Sequence, residues 1–292
     1  MKKTIKTITM LLLFILFTSS SFTQQRKTQP VLFNKVSERL YEIVGGSGAR
    51  GGVYIGDNGV LVIDAKMDKN SVEQVLEGIR KITGKPIKYL VNTHSDGDHI
   101  SGNKFFPETI QVIAQENCRK DFFLTLRDGR PSEWSNPDLT PFIPSLTFRD
   151  KMDVYLGSKK VELRYFGIGH TTGDIVIYFP EEKTAFIGDQ IFLTRPQLIH
   201  SYKGGNSFAH VKTLTKTLET IDAEKFCSGH SEMTGRKEIL NHIDMMKNRQ
   251  EKVKTLIETG KNLEQTQNEF EKNESVLIES IYNEIKNSNN KF

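Results

Sequence analysis

The sequence feature that most constrains the fold is the loop 94–99, which reads His-Ser-Asp-Gly-Asp-His and follows a short apolar stretch at 87–91. Imidazole and carboxylate groups that bind divalent ions strongly are scarce, so four of them in one loop indicate a metal site. In an extended loop, alternating positions point to the same side. This geometry allows His94, Asp96 and Asp98 to converge and turns His99 toward a second ion.

Three further short polar segments follow predicted strands, and they supply His170, Asp189 and His230. A strand end is rigid enough to hold a ligand and still exposed at the edge of a sheet. One such residue alone is usually an ordinary hydrogen-bonding group, but seven candidates flanked by glycine or other loop residues favour a metal centre. Three other histidines lack such neighbours and are interpreted as ordinary residues: His200, His210 and His242.

Hydrophobic periodicity predicts two β-rich halves, each with helices. The predicted elements are a β-meander over 39–64, a helix over 69–83, strands at 87–91, 159–166, 174–179, 184–188 and 225–228, and a helix over 207–220. Four prolines between 128 and 150 predict a long loop there. From Lys237 onward the chain is charged and helix-forming, which predicts two or three helices packed on the body. The alternative for this tail is an amphipathic helix that binds a partner or a membrane.

The N-terminus has the pattern of a secretory signal peptide over 1–23: three lysines, an apolar run from Ile8 to Phe17, then small polar residues. The alternative is an uncleaved anchor. After cleavage, no stretch of the sequence predicts stable membrane insertion. We therefore expect a periplasmic or secreted protein with one main folded domain over 24–236 and a C-terminal helical extension over 237–292.

The net charge of the chain bears on its partners, and its two cysteines bear on disulfide formation. The chain has 40 Lys and Arg against 36 Asp and Glu, and three of the lysines lie in the predicted signal peptide, so the mature chain is close to neutral. Such a balance gives no electrostatic reason to expect nucleic acid as a partner. Cys118 and Cys227 are interpreted as buried free thiols. The oligomeric state is not indicated by the sequence.

The order of these motifs resembles the metallo-β-lactamase-fold hydrolase superfamily. Its hallmark is a loop H-x-H-x-D-H, then Gly-His, then Gly-Asp, then a further His, and the resemblance covers about 31–236. It implies an α/β fold, a four-layer αββα sandwich. The charged C-terminal helices are similar to those of exported members labelled cyclase-like or quinoprotein-associated hydrolases.

The resemblance also implies a ligand set. It assigns His94, Asp96 and His170 to a first metal site and Asp189 to a bridge between two ions. The second site would consist of Asp98, His99 and His230. Asp98 would also orient the attacking water and is the predicted catalytic residue.

Asp96 departs from the hallmark, which has histidine at this position. With two divalent ions and a bridging hydroxide, the usual ligand set keeps one net positive charge, and the extra carboxylate makes the centre neutral. Oxygen in place of nitrogen also shifts preference from zinc toward manganese or iron. Three outcomes stay open: Asp96 binds and two metals are held, only the second site is filled, or the centre is catalytically degenerate. If Asp96 reaches the ion, Asp96→His is expected to raise first-site zinc affinity.

The leading hypothesis is an exported metal-dependent hydrolase with one or two zinc ions, acting on an ester, lactone, amide (a β-lactam included) or phosphate or sulfate ester. The alternatives are a non-haem iron oxidoreductase of the same fold and a non-catalytic metal-binding module. The resemblance places the substrate pocket among the loops 45–51, 128–145 and 190–206. In the last loop, Arg195 and Lys203 are candidates to bind a substrate anion. Thr171, Thr172 and Asp174 are expected to fix the tautomers of the ligand histidines.

Overall fold

Two β-sheets form the centre of the protein. A computed structural model describes residues 29–126 and 128–289, so the predicted signal peptide, 1–23, lies outside the described residues. The first sheet has seven strands side by side in chain order: β1 (Leu32–Lys35), β2 (Leu40–Val44), β3 (Gly51–Ile55), β4 (Val60–Ile63), β5 (Ile87–Val91), β6 (Gln111–Gln115) and β7 (Leu146–Phe148). The strands β1 to β4 pair antiparallel, and β4 to β7 pair parallel.

The second sheet has five strands: β8 (Lys151–Leu156), β9 (Lys159–Arg164), β10 (Val176–Phe179), β11 (Thr184–Phe186) and β12 (Lys225–Cys227). Their spatial order runs from β12 through β11, β10 and β9 to β8. Only the pair β11 and β12 in this sheet is parallel. The chain between these two strands includes a helix, as a parallel crossover requires.

Seven α-helices accompany the sheets in the described part of the chain: α1 (Lys69–Ile82), α2 (Gly97–Ile100), α3 (Glu116–Asp121), α4 (Ser207–Thr220), α5 (Arg236–Glu258), α6 (Leu263–Gln267) and α7 (Ser275–Asn289). The side chain of Asp68 caps α1 by accepting a hydrogen bond from the Ser71 amide. The apolar side of α1, with Val72, Val75 and Ile79, is buried against the first sheet. None of the described helices is long and apolar enough to cross a bilayer.

The core lies in layers on both sides of each sheet. Between the sheets, Tyr54 and Leu61 of the first pack in one cluster with Leu163, Phe179 and Phe186 of the second. The outer face of the second sheet packs against α4, α5 and α7. The layer order is therefore helix, sheet, sheet, helix, which confirms the predicted four-layer α/β fold with a C-terminal helical extension.

Most predicted elements lie within a few residues of the observed ones, and the helix predicted over 207–220 coincides with α4. The structure also has elements that periodicity did not predict: β1, β6, β7, β8 and α3. The segment predicted as one long loop over 128–150 contains two 3-10 turns and β7. The four unpredicted strands are short. They are stabilised mainly by pairing with neighbouring strands, so their own residues show no local pattern that predicts them. Cys118 and Cys227 are buried free thiols, as predicted.

The C-terminal extension holds the start of α4. Glu284 of α7 accepts hydrogen bonds at 2.8 Å from the Ser207 amide and at 2.5 Å from the Ser207 hydroxyl. A carboxylate at the N-terminus of a helix binds amide groups that have no partner within the helix and complements the helix dipole. The contact therefore joins the last helix to the first residue of α4.

We predict that Glu284→Gln lowers the free energy of unfolding by about 1–2 kcal/mol, because an amide replaces the ionised acceptor of two hydrogen bonds. Chemical denaturation monitored by circular dichroism measures this change. Glu279→Gln is the matched control, since Glu279 is exposed on the same helix. Equal effects of the two substitutions would contradict a specific cap by Glu284.

Candidate metal centre

The seven predicted ligands come together at one edge of the two sheets. The loop 94–99 follows β5, His170 lies between β9 and β10, Asp189 follows β11, and His230 follows β12. Their potential ligand atoms form two groups, in each of which all atoms lie within 4.8 Å of one another. The fold thus gathers four distant segments at a single centre.

The first group consists of His94, Asp96, His170 and Asp189, and all four are buried. The Asp96 Oδ2 atom lies 2.9 Å from Nε2 of His170 and 3.6 Å from Nε2 of His94. Both Nε2 atoms lie 3.9 Å from Oδ2 of Asp189. Two imidazoles and two carboxylates therefore face a common point.

The second group consists of Asp98, His99 and His230. The Asp98 Oδ2 atom lies 2.9 Å from Nε2 of His230 and 4.0 Å from Nε2 of His99. Asp189 also faces this group, because Oδ1 lies 3.2 Å from His99 Nε2 and Oδ2 lies 3.3 Å from His230 Nε2. Asp189 thus stands between the two groups and contacts both.

The alternation expected along the loop fails at Asp98. That expectation placed Asp98 with His94 and Asp96, and His99 apart from them. In the structure Asp98 and His99 belong to the same group. The reason is that α2 begins at Gly97, so the chain beyond Asp96 is helical and no longer alternates.

The hydrogen bonds of the histidines leave lone pairs directed into the centre. His99 Nδ1 lies 2.8 Å from Oδ2 of Asp64, and His170 Nδ1 lies 2.7 Å from the carbonyl oxygen of Leu198. Because these partners are acceptors, each Nδ1 donates, and Nε2 of the neutral ring offers a lone pair.

Three buried atoms of the centre have no hydrogen-bond partner among the described residues: His94 Nε2, His99 Nε2 and Asp189 Oδ1. A nitrogen lone pair and a carboxylate oxygen that face each other repel unless a proton or a cation lies between them. A donor set of imidazole nitrogens and carboxylate oxygens suits a divalent ion. The residues therefore fit a metal centre.

The charges in the centre shift the ionisation of its members. Burial lowers the pKa of His170, but the hydrogen bond with Asp96 and the charge of Asp96 raise it to about 9. Burial likewise opposes the hydrogen bonds with Asp189 and Asp98 that raise the pKa of His230 to about 9. The pKa of Asp189 is well below its ordinary value because, against burial, the charge of His99 and the hydrogen bond with His230 favour the carboxylate. Without metal, the centre favours the protonated forms of His99, His170 and His230 and keeps Asp189 ionised.

Two glycines make this close approach sterically feasible. Gly188 has a φ of +52°, and a Cβ there would lie 2.8 Å from Thr93 Oγ1. A Cβ at Gly229 would lie 2.3 Å from Oδ1 of Asp189 and 2.6 Å from Cε1 of His99. Both distances are shorter than van der Waals contact, so these positions next to Asp189 and His230 need glycine.

The groups that orient the ligand histidines differ from those predicted. Thr171 and Asp174 bind each other, with the Thr171 amide and hydroxyl donating to the Asp174 carboxylate. The orienting acceptors are the Asp64 carboxylate for His99 and the Leu198 carbonyl for His170. A backbone carbonyl has no sequence signal, so the Leu198 contact could not be predicted from residue types.

The sequence pattern does not place His200 or Lys203 beside the predicted ligands, but both contact Asp96 in the structure. His200, interpreted as an ordinary residue, places Nε2 at 2.9 Å from Asp96 Oδ2. Lys203, a candidate for binding substrate anions, places Nζ at 2.7 Å from Asp96 Oδ1. Its ammonium is therefore engaged within the protein. The other two histidines of this class, His210 and His242, are buried and stacked edge to face between α4 and α5.

The loops expected around a substrate lie near the centre. In the loop 45–51, the Ala49 amide donates to the Asp98 carbonyl and the Arg50 amide to the Gly229 carbonyl, so this loop is fixed beside the second group. On the other side of the loop 94–99, a cavity of about 350 Å³ is lined by residues that include Phe122 and Trp134. Arg195 stacks on the ring of Phe192, which itself stacks on His230.

This chain is similar to two curated proteins of different names. It is 22% identical over 241 residues to the metallo-beta-lactamase type 2 of Elizabethkingia meningoseptica, covering 78% of this chain and 90% of that protein. It is 26% identical over 142 residues to the 2,4-dinitroanisole O-demethylase subunit alpha of Nocardioides sp., covering 47% of this chain and 39% of that subunit. The chain thus spans less than half the length of the demethylase subunit.

The fold has solved counterparts. The metallo-beta-lactamase from Pontibacter korlensis superposes with a TM-score of 0.62 at 16% sequence identity, over 75% of this chain and 99% of the other. At this identity the likeness establishes the fold alone. A family model described as the metallo-beta-lactamase superfamily matches residues 51–230, more than half of the chain. The chain therefore belongs to the metallo-beta-lactamase superfamily.

Proposed function

We propose that this chain is an exported metal-dependent hydrolase that uses its seven clustered ligands to hold one or two divalent ions, with zinc as the expected metal. The observation that carries the proposal is the position of Asp189, whose carboxylate lies between two groups of imidazoles and contacts both. A bridging carboxylate between two ligand groups is the arrangement of a two-metal hydrolytic centre. Membership of a superfamily that consists largely of hydrolases supports the same reading.

The accessible side of the centre is the second ligand group. The side chains of Asp98 and His230 are 30% and 27% exposed, whereas those of His94 and His170 are at most 1% exposed. A substrate therefore reaches the centre from the side of Asp98. When bound, divalent ions supply an activated water at neutral pH and stabilise negative charge on the group under attack.

Asp98 is the residue best placed to act on that water. In the metal-free chain its Oδ2 accepts a hydrogen bond from Nε2 of His230, which keeps these two ligand side chains in contact. Against burial, this bond and the charge of His99 lower the pKa of Asp98, so the group is an ionised acceptor at neutral pH. We assign Asp98 to orienting the attacking water and accepting its proton, in addition to binding metal.

The substrate belongs to a class with an electrophilic carbonyl, phosphorus or sulfur. Esters, lactones, amides (β-lactams included) and phosphate and sulfate esters all suit the centre. The two curated relatives are named for different substrates, so they support the type of centre rather than one substrate. We propose a small-molecule substrate for this centre. We propose no nucleic-acid partner because the mature chain is close to neutral, and a periplasmic or secreted location because of the signal-peptide pattern over 1–23.

Asp96 supports a second candidate, a non-haem iron oxidoreductase. It brings the number of carboxylates in the centre to three, with Asp98 and Asp189. Oxygen-rich ligand sets favour iron and manganese over zinc. Elemental analysis of protein purified without added metal separates the candidates, because dominant iron with a visible absorption band favours redox chemistry, and dominant zinc favours hydrolysis.

We predict that Asp98→Asn lowers kcat by about 100-fold or more on the best substrate of an ester, lactone, phosphate, sulfate and β-lactam screen. The substitution removes the proton acceptor and keeps the shape of the side chain. Steady-state kinetics with matched metal occupancy measures the effect. Asp244→Asn, on the exposed side of α5, is the control and should leave the rate unchanged.

No turnover in the whole screen, with full metal occupancy of the natural chain, would contradict the proposed enzyme and favour the non-catalytic metal-binding module. Removal of metal with a chelator should abolish any turnover that the screen detects. Activity that survives complete metal removal would contradict a metal-dependent mechanism.

We predict that the metal-free protein loses stability as pH rises from about 6.5 to about 9, and that metal binding releases protons. The pKa values of His170 and His230 are raised to about 9 from an ordinary 6.5, so their contribution is fully present below 6.5 and lost through 9. Zinc affinity should therefore increase with pH over this range. Thermal unfolding with and without zinc measures the first effect, and calorimetry in two buffers counts the protons. A pH-independent midpoint without metal would contradict the prediction.

A further inference from the structure

The carboxylate of Asp96 is enclosed by donors from one loop. Lys203 Nζ lies 2.7 Å from Oδ1, and His200 Nε2 lies 2.9 Å from Oδ2. The exposed fractions of the three side chains are 9% for Lys203, 12% for Asp96 and 13% for His200. Each oxygen of Asp96 is therefore bound, and the ion pair lies almost entirely within the protein.

The backbone fixes Lys203 in this position. Residues 201–203 form a 3-10 turn that ends at Gly204, where φ is +69°. The His200 amide donates to the carbonyl of His170, and the Asn206 amide to the carbonyl of Gly169, so the loop is tied to the segment that carries a ligand. The ammonium also donates to the Ser95 carbonyl at 2.9 Å and the Ser95 hydroxyl at 3.1 Å.

His200 acts as a donor to Asp96 rather than as a further ligand. Its Nδ1 atom is buried and has no hydrogen-bond partner among the described residues. A proton on Nδ1 would be unsatisfied there, so the neutral ring carries its proton on Nε2 and donates it to Asp96 Oδ2. Nε2 of His200 belongs to neither ligand group, unlike Nε2 of His170, which lies at the same distance from Asp96 Oδ2.

Lys203 changes the charge of the centre. The aspartate adds one negative charge relative to the histidine of the hallmark, and the ammonium adds one positive charge within hydrogen-bonding distance. Removing the counterion of a buried carboxylate strongly destabilises the folded protein. The ion pair occupies Oδ1, whereas Oδ2, which also accepts a hydrogen bond from His200, faces His94 and His170 as a single ligand atom would.

We propose that Asp96 and Lys203 form one charge-compensated unit that replaces the second histidine of the motif, with Lys203 as the positioning residue. This inference rests on the proposed metal binding. It implies that replacing Asp96 by histidine also requires replacing Lys203 by a neutral residue. The motif alone predicts that Asp96→His raises zinc affinity, but this substitution removes the carboxylate that contacts the ammonium beside a divalent ion. The next carboxylate, Asp121, is linked to Lys203 only through the Ser95 hydroxyl.

The test compares the natural chain with Asp96→His, Lys203→Met and Asp96→His/Lys203→Met. Isothermal calorimetry with zinc alone measures the affinity of each metal site, and thermal unfolding of the metal-free proteins measures the coupling of the pair. We expect Asp96→His to bind first-site zinc about tenfold or more weakly than the double variant, because the double variant lacks the uncompensated charge. The affinity of the second site, with Asp98, His99 and His230, is the internal reference.

Two outcomes would overturn the inference. One is equal first-site affinity in Asp96→His and the double variant, and the other is additive effects of the two substitutions on the unfolding midpoint. Lys212→Met is the matched control, since Lys212 is exposed on α4 and should change neither quantity. Lys203→Arg keeps the charge and is expected to keep first-site zinc.

Failure of the proposed function gives a different result. If the natural chain binds no divalent ion at either site, metal binding is wrong, while unfolding of the metal-free variants still measures the coupling of Asp96 with Lys203. If the natural chain binds zinc and the variants show no coupling, the charge-compensated unit is wrong and the metal centre stands.

Discussion

Mutual repulsion of carboxylates is the constraint on which the rest of this structure depends. Asp96, Asp98 and Asp189 converge on one centre, and the first and last of them are largely shielded from water. Such a group is stable only with compensating positive charge, which His99, His170, His230 and Lys203 provide in the metal-free chain. The loops, glycines and orienting hydrogen bonds around the centre all keep these groups in contact.

The two sheets make that arrangement rigid. The ligands follow the ends of strands, so their positions are fixed by the paired backbone of the sheets and by the apolar layer between the sheets. The glycines at 188 and 229 then allow backbone and side chains to approach more closely than any larger residue permits. Ligand geometry is therefore set by the fold, and the fold is stabilised by the apolar residues between and around the sheets.

The parts of this molecule that could be predicted from sequence are those with a local pattern. The periodic helices α1 and α4, the buried strands β4 and β5, and the glycine-flanked ligands all have such patterns. The ion pair of Asp96 with Lys203 joins residues 107 positions apart, and the carbonyl of Leu198 has no distinctive residue type. Such contacts depend on tertiary structure, which periodicity and residue type do not encode. The change from extended chain to helix at Gly97 was not predicted, for the same reason.

The contact between Glu284 and Ser207 gives the C-terminal helices a role at a distance. Helix α4 begins at Ser207, four residues after Lys203, and its amide groups are held by the last helix of the chain. Loss of α7 would free the start of α4 and relax the turn that presents the ammonium to Asp96. The tail therefore supports the turn that carries Lys203 as well as covering the outer face of the second sheet, so the ligand shell and the core share one support.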